Sequence, residues 1–144
     1  MKQLNKNNIF IDTNILIGAY ANSKNFDDEK RCWKYLSTIK GKNVYVSSLS
    51  IAQFVSVFQH RKDNNSIKKD VKNILAKVDV IEFTKQDIEK SLKFKQHDLE
   101  DNIQYVLAEK LKCGIFVTQN TKDYSEHLGI RAIPARDYKA ILKT

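Results

Sequence analysis

Three separate stretches of the chain carry carboxylates in positions where they could act together on one ion. Asp12 follows a short apolar run, and Asp123 lies in a polar segment that follows another. Asp98 and Asp101 stand three positions apart at the start of a helical pattern, which puts them on neighbouring parts of one helix face. Carboxylates gathered at one place repel one another unless divalent cations join them, and hard oxygen ligands select Mg²⁺ or Mn²⁺. Such ions generate hydroxide from bound water and stabilise the leaving oxygen of a scissile phosphate.

Each of these acids also has a purely structural interpretation. Asp12 would serve as the N-cap of a helix over 13–19, a role that Asp fills well. Asp98 would be the N-cap of the helix that it precedes, with Asp101 as its partner three residues on, much like a capping box. Asp123 would be a turn residue or the cap of a short helix. A cap role and a metal role are compatible for Asp12, so the spacing leaves both interpretations open.

Apolar periodicity predicts strands that alternate with helices along the chain. This alternation is typical of an α/β fold with a central, mainly parallel sheet that helices cover on both faces. In such sheets ligands bind beyond the carboxyl ends of the strands, where Asp12 and the segment 118–123 would both lie. The predicted strands are 8–12, 44–47, 78–83, 115–118 and 131–133, and helices are predicted over 27–40, 85–96 and 98–112, and from Ser48 or Ser50, from Ser66 and from Pro134.

Particular residues are predicted to end, cap or anchor these elements. Gly41 and Gly114 would end the helices that precede them. Ser48 or Ser50 would cap the helix after the second strand, and Thr84 would cap the helix over 85–96. The apolar faces of the later helices would turn Leu75, Ile88, Leu92 and Leu99 toward the core.

The composition favours one folded, basic domain over residues 1–144. The 144 residues carry 25 Lys and Arg against 17 Asp and Glu, a formal net charge of +8. That balance favours an anionic partner, most commonly nucleic acid, although a lysine-rich solvated surface would give the same count. No apolar run approaches the ~20 residues of a membrane helix, so no membrane partner is expected. The polar N-terminus and two widely spaced cysteines indicate a cytoplasmic protein with free thiols.

A run of basic residues near the helix that follows the second strand is a second candidate for nucleic-acid contact. It would either track an RNA backbone or form a solvated helix face. Tyr20 and Tyr105 are possible base-stacking groups, with partial core burial as the safer interpretation. The three histidines share no ligand spacing, although His97 adjoins Asp98 and could touch a substrate. The basic run consists of Arg61, Lys62, Lys68, Lys69 and Lys72.

Four short motifs in this order resemble those of the PIN domain family. They extend across nearly the whole chain, up to the closing strand before Pro134. Each motif is weak alone, and the four together are fairly specific. They are Asp12-Thr13-Asn14, Ser47-Ser48-Leu49-Ser50-Ile51-Ala52, Asp98-Leu99-Glu100-Asp101 and the segment from Thr118 to Tyr124.

The resemblance implies a three-layer α/β/α sandwich and a metal-dependent ribonuclease site that uses Mg²⁺ or Mn²⁺, as in VapC-like toxins of bacterial toxin–antitoxin pairs. It therefore implies RNA as substrate, an antitoxin as partner and a possible homodimer. The matching metal-binding acids are Asp12, Asp101 and Asp123, with Asp98 as an extra acid beside them. The polar residues that would orient them or a bound water are Asn14, Thr118 and Asn120.

The chain departs from the family pattern at Gln53, where the resemblance implies Glu. Gln keeps a carbonyl oxygen that could ligate or accept a hydrogen bond, but it lacks the charge. Metal affinity should therefore fall, unless Asp98 compensates. The alternative is a weakened or inactive PIN-like module that binds RNA without cleaving it.

Two other classes of enzyme place an Asp at a strand end beside Mg²⁺. A receiver domain needs a second acidic pair near the first strand, where this chain has Asn7 and Asn8, and a Lys after a late strand, where it has Gln119. A haloacid-dehalogenase phosphatase needs Asp-x-Asp, but the second acid is replaced here by Asn14. The sequence therefore disfavours both.

Overall fold

The computed structural model describes residues 3–94, 98–124 and 130–143, without the side chains of Asp123 and Lys143. His97 and His127 fall outside the described residues. Within the described ranges, no helix combines the length and the apolar character needed to cross a bilayer. The elements are β1 Asn5–Ile11, α1 Thr13–Tyr20, a 3₁₀ turn Lys24–Phe26, α2 Asp27–Leu36, β2 Asn43–Ser47, α3 Ser48–Phe58, α4 Asn64–Lys77, β3 Asp79–Ile81, α5 Lys85–Ser91, α6 Leu99–Lys110, β4 Cys113–Val117, α7 Thr121–Tyr124, β5 Arg131–Ile133 and a kinked 3₁₀ segment Ala135–Lys143.

The five strands form one parallel sheet in the order β3-β2-β1-β4-β5. The central pair is β1 and β4, in a register that sets Ile11 opposite Val117. The residues that follow, Asp12 and Thr118, therefore emerge side by side at the carboxyl edge. The strand order reverses its direction at this pair, which is where ligands bind in open parallel sheets.

Two apolar cores, one on each face of the sheet, make the fold a three-layer sandwich. Side chains of β1 alternate between the faces: Ile9 and Ile11 pack into one core, and Phe10 packs into the other. The first core is completed by α1 to α4 and the C-terminal segment, the second by α6 and α7. The predicted α/β fold with a central parallel sheet and a three-layer arrangement is confirmed.

The glycine predictions were wrong in their detail. Helix α2 ends at Leu36, and Gly41 lies beyond it with a φ of 78° in the approach to β2. Lys112, with a φ of 55°, provides the left-handed residue after α6. Gly114 lies inside β4, where a Cβ would come within 3.0 Å of the Lys6 Cα. This glycine is needed for a close approach of backbones rather than for ending a helix.

Helix starts and faces also differ in part from the prediction. Ser47, rather than Ser48 or Ser50, caps α3, because its Oγ accepts the backbone N–H of Ser50. Helix α4 starts at Asn64, two residues before the predicted Ser66, with Asp63 as its cap. Leu92 lies just beyond the end of α5, and Leu99 is the first residue of α6. Four residues predicted to face the core are instead well exposed: Leu75 52%, Ile88 39%, Leu92 60% and Leu99 51%.

The cap of α5 follows the prediction and adds a reciprocal partner. Thr84 and Asp87 form a complete capping box, and Lys110 reaches the Asp87 carboxylate at 3.3 Å. Burial raises the pKa of Asp87, but the hydrogen bonds from Thr84 and Lys110 outweigh it, so this pKa lies below its ordinary value. A lowered folded-state pKa stabilises the fold above the unfolded pKa, and this contribution is lost as the pH falls through the folded value.

Replacing Asp87 with Asn should therefore destabilise the protein at neutral pH and remove part of its acid sensitivity. We expect the free energy of unfolding at pH 7 to fall by about 1 kcal/mol, as for other lost caps. Below about pH 4 the difference from the wild type should shrink. Urea denaturation at pH 7 and pH 3 measures both effects, with the exposed Asp137→Asn as control. An equal loss of stability at the two pH values would contradict the assignment.

Candidate active site

An open cleft of about 370 Å³ lies at the carboxyl edge of the central strands. The end of β1, helices α1, α3 and α6 and the segment after β4 form its walls. Three of its lining residues are acids, and none of the described lining residues is a cation. The lining residues are Asp12, Thr13, Asn14, Ile17, Gln53, Ser56, Val57, Glu100, Asp101, Gln104 and Asn120.

Asp12 is the most deeply buried acid of this cleft, with 4% of its surface exposed. It caps α1, where its Oδ1 accepts the Thr13 N–H at 2.8 Å. Its Oδ2 accepts the Thr118 hydroxyl at 2.7 Å and the Asn14 amide at 3.3 Å. Burial raises the pKa of Asp12 above its ordinary value, although the hydrogen bonds from Thr118 and Thr13 lower it in part. The cap interpretation is thus confirmed, and the same carboxylate also faces the cleft.

The first turn of α6 brings two more acids, Glu100 and Asp101, to the cleft, and Asp98 precedes them as the cap of the helix. Asp98 caps the helix by accepting the Asp101 N–H at 3.2 Å, as the structural interpretation expected. Asp101 lines the cleft together with Glu100, a residue that the sequence did not single out. The negative charge of Asp98 contributes to the raised pKa of Asp12, so the two acids are electrostatically coupled across the site. Cap and cleft wall are therefore built from one helical turn.

The polar residues of the segment after β4 form hydrogen bonds with Asp12 and Asn14 at the start of α1. Thr118 is fully buried, and its Oγ1 also accepts the Asn120 N–H at 3.0 Å. Asn14 Oδ1 accepts the Gln119 N–H at 3.4 Å. Asn14, Thr118 and Asn120 thus meet around Asp12, as two polar clusters at neighbouring strand ends should. The side chain of Asp123 lies outside the described part of the chain, so its role as a metal ligand stays a prediction.

A buried network of neutral polar groups supports the floor of the cleft and was missed in the sequence. The Ser50 hydroxyl contacts the Thr13 hydroxyl at 2.6 Å and accepts the Ser47 hydroxyl at 3.1 Å. The Gln104 amide donates to Thr13 at 3.0 Å and to Ser50 at 2.7 Å. Gln104 follows Asp101 by three residues on α6, so spacing along a helix face was the available signal.

Gln104 also carries an unsatisfied acceptor. It is 2% exposed, and its Oε1 has no hydrogen-bond partner among the described residues. Unpaired buried acceptors are rare in native proteins, and each calls for a ligand, a water or an ion. Because Gln104 lines the acidic cleft, its orphan oxygen fits a site that receives a cation or a bound water.

Gln53 has both ends of its amide engaged. Its Oε1 accepts the Thr13 hydroxyl at 2.6 Å, and its Nε2 donates to the Glu100 carboxylate at 2.5 Å. The carbonyl oxygen considered as a possible ligand is therefore already paired with Thr13. This position bridges α3 and α6 across the cleft.

One member of the basic run, Lys62, has a structural role instead of a free, solvated side chain. Lys62 binds the Tyr20 carbonyl and the Asp70 carboxylate, and lies 4.7 Å from the centre of the Phe58 ring. It therefore packs between α1 and α4 rather than into solvent. The other members of the basic run, Arg61, Lys68, Lys69 and Lys72, are exposed.

For both tyrosines, the burial interpretation fits the structure better than base stacking. Tyr20 packs against Phe54 with ring centres 5.4 Å apart. Tyr105 is 5% exposed and packs edge-on against Phe94. Both rings are therefore packed against other aromatic side chains of the fold.

The donor chemistry of the cleft fits a hard divalent cation. It offers carboxylate, amide and hydroxyl oxygens and no soft ligand, a set typical of Mg²⁺ and Mn²⁺ sites. Within the described residues, no three His, Cys, Asp or Glu side chains converge closely enough to hold a metal by themselves. A metal would therefore need amide oxygens, waters or the predicted ligand Asp123 in addition.

Comparisons with known proteins find chains of similar sequence and similar fold. The chain shares 24% identity over 137 residues with Ribonuclease VapC1 of Aquifex aeolicus (strain VF5), covering 88% of this chain and 91% of that protein. Among solved structures, the VapC20 toxin of Mycobacterium tuberculosis superposes with a TM-score of 0.66 at 14% identity, over 83% of this chain and 95% of the toxin. VapC20 is described as cleaving the sarcin–ricin loop.

Two further solved structures with this fold are complexes. A toxin–antitoxin complex from Klebsiella pneumoniae matches with a TM-score of 0.65 at 20% identity, over 88% of this chain and 97% of the matched one. VapBC2 of Rickettsia felis, bound to a DNA fragment from its promoter, matches with a TM-score of 0.65 at 16% identity, over 88% and 98%. The sequence pattern of the PIN domain family matches residues 8–122, which include the ends of both central strands. The chain belongs to the PIN domain family.

Proposed function

We propose that this protein is a metal-dependent endoribonuclease and the toxin of a toxin–antitoxin pair. The observation that carries the proposal is the buried Asp12 carboxylate, which faces a cleft lined by Asp101 and Glu100 and by no described cation. An acid kept in such surroundings is costly unless a positive ligand arrives. The similarity to Ribonuclease VapC1 supports hydrolysis of RNA as the reaction.

The residues have distinct tasks in this proposal. Asp12 and Asp101 would hold Mg²⁺ or Mn²⁺, with Asp98 and Asp123 as further acids near them. Such an ion supplies a hydroxide from bound water and charge for the leaving oxygen of a phosphodiester. The neutral residues Asn14, Thr118 and Asn120 would orient Asp12 or bind the phosphate and the attacking water. Asn14 and Thr118 donate hydrogen bonds to Asp12, and the Asn120 N–H donates to Thr118.

The partners follow from charge and from the relatives. A net charge of +8 around an acidic cleft suits RNA, since the basic surface attracts the phosphates that bare carboxylates repel. Two of the similar structures are toxin–antitoxin complexes, which supports an antitoxin as the protein that holds this chain inactive. A homodimer would be consistent with this class of toxin. Buried free thiols at Cys32 and Cys113 suit the reducing cytoplasm.

A second candidate function rests on Gln53. Its neutral amide occupies the place where the family resemblance implies Glu, and it is engaged by Thr13 and Glu100. In this alternative the cleft binds metal weakly, and the protein binds RNA without cutting it. Binding that survives chelation, together with no cleavage at any metal concentration, would favour this alternative.

A cleavage assay with controlled metal content distinguishes the two. Purified protein is stripped with EDTA, incubated with a mixture of structured RNAs, and supplied with Mg²⁺ or Mn²⁺. We expect cleavage to stop on chelation and to return with either ion, because the described residues that line the cleft include no cation that could replace the metal. Activity that is indifferent to EDTA would contradict the proposal. A parallel preparation of the Asp12→Asn variant controls for contaminating nucleases.

A further inference from the structure

Glu100 and Gln53 form a hydrogen-bonded pair across the cleft, and the family resemblance gives this pair no role. Gln53 lies on α3 and Glu100 in the first turn of α6, and both line the cleft. We propose that Glu100 supplies the negative charge that position 53 lacks, and that Gln53 is the positioning residue that holds it for a divalent cation. This inference rests on the proposed function and names a further acid of that same site.

The hydrogen-bond network fixes which way the Gln53 amide points. Ser47 donates to Ser50, the Ser50 and Thr13 hydroxyls share a hydrogen bond at 2.6 Å, and the Thr13 hydroxyl donates to Gln53 Oε1 at 2.6 Å. Because the oxygen end is held by Thr13, the NH₂ end must face Glu100, where it donates at 2.5 Å. A hydrogen bond to a carboxylate is stronger than one between neutral groups. Glu100, otherwise an exposed side chain, is thereby held against the cleft wall.

The pairing keeps the charge of Glu100 uncompensated. An amide orients a carboxylate without neutralising it, and only Oε2 of Glu100 is engaged by the described residues. No Lys, Arg or His lies among the described lining residues, so in the described part of the chain no cation of the cleft lining neutralises this charge. The buried Gln104, with its unpaired Oε1, lines the same space and adds an independent acceptor for a bound ion or its water.

The alternative residue at position 53 would behave differently. Glu at this position would bring a second carboxylate against Glu100 at hydrogen-bond distance, and like charges so close repel strongly without a cation between them. Gln53 avoids this repulsion while leaving one charge on the opposite helix. In this chain the one carboxylate of the pair therefore lies on α6, and its partner on α3 is a neutral amide.

Isothermal titration with Mn²⁺ alone tests the pair. We expect Glu100→Gln to weaken Mn²⁺ binding by about 10-fold or more, the scale of loss seen for groups that support metal ligands. Its melting temperature without metal should not fall, because the variant removes charge repulsion from the cleft. The matched control is Glu89→Gln, an exposed acid on α5 outside the cleft, which should bind Mn²⁺ as the wild type does.

A charge exchange makes the test specific. Gln53→Glu alone should melt at a lower temperature without metal and show a larger stabilisation by Mn²⁺. Combined with Glu100→Gln, it should restore wild-type Mn²⁺ affinity, because one charge and one amide again face each other. Equal binding by Glu100→Gln and Glu89→Gln, or no restoration in the double variant, would overturn the inference.

The two levels of the proposal fail in different ways. If Asp12→Asn loses cleavage while Glu100→Gln binds Mn²⁺ and cleaves as the control does, the ribonuclease stands and the role of Glu100 is wrong. If Asp12→Asn cleaves as well as the wild type, the proposed function itself is wrong. Absence of Mn²⁺ binding by the wild-type protein would overturn both.

Discussion

The Asp12→Asn variant is expected to lose RNA cleavage by at least about 100-fold while keeping its fold. The loss follows because Asp12 is the acid at the centre of the proposed site, and even supporting residues of metal sites cost 10- to 100-fold when removed. The fold should persist, since Asn can still accept the Thr13 N–H as an N-cap. Cleavage rates measured with saturating Mn²⁺, together with thermal melting of the same preparations, provide the test.

The stability of this variant separates a catalytic role from a structural one. Burial raises the pKa of Asp12, which means that the surroundings disfavour its charge. We therefore expect the metal-free melting temperature of Asp12→Asn to be equal to or above that of the wild type, a common trade-off at active sites. The control is Asp63→Asn, another helix cap, which lies on α4 outside the cleft. A variant that unfolds, or that cleaves normally, would refute the assigned role.

Replacement of Phe116 by Ala is expected to have the largest effect on stability. Phe116 is fully buried on the central strand β4, stacked between Phe10 at 5.3 Å and Tyr124 at 4.2 Å between ring centres. Emptying such a position costs about 3–5 kcal/mol in the free energy of unfolding. Tyr124 in turn donates its hydroxyl to the Asp101 carbonyl at 3.3 Å, so the aromatic stack supports the start of α6. Urea denaturation measures the loss.

The rate of RNA cleavage per folded molecule tells whether the stack of Phe10, Phe116 and Tyr124 also positions the acids at the start of α6. A loosened α6 should misplace Asp101, and misplacements of about 1 Å cost on the order of 100-fold in rate. Ile115→Ala is the matched control, since Ile115 is equally buried on the same strand but faces the other core. Similar destabilisation with unchanged cleavage is expected for that control. Phe116→Leu keeps most of the volume should the alanine variant not fold, and equal cleavage by the Phe116 and Ile115 variants would argue against the coupling.

The parts of the fold that were predictable are those set by local pattern. Apolar runs that end in a polar residue located β1, β2, β4 and β5 to within a few residues, and Thr84 was identified as a cap. The same reasoning placed Asp12 and Thr118 at strand ends. The register of β1 on β4, which sets these two residues side by side, depends on long-range strand pairing that no local pattern encodes. Helix lengths were less predictable: α2 ends at Leu36 and α5 at Ser91, although Ile39 and Phe94 beyond them still pack against the cores.

The neutral members of the site could not be predicted from their own residue types. Ser50 and Gln104 lie on different helices, and only the folded sheet brings them to hydrogen-bond distance from Thr13. Glu100 carries no local signal either, since it lies between two acids with better helix-cap positions. The role inferred for Gln53 from the sequence also differs from the one that the structure indicates. In the sequence it is a missing charge, whereas in the fold it is the donor to Glu100.

The distance along the chain between the two halves of the cleft has a consequence for synthesis. Thr118 bonds to an acid 106 positions earlier, so the pair cannot exist until nearly the whole polypeptide has left the ribosome. At ordinary translation speeds, that is a delay on the order of 10 s after the first strand emerges. If the proposed cleavage of RNA depends on this pair, a nascent chain would stay inactive until Thr118 has emerged and joined Asp12.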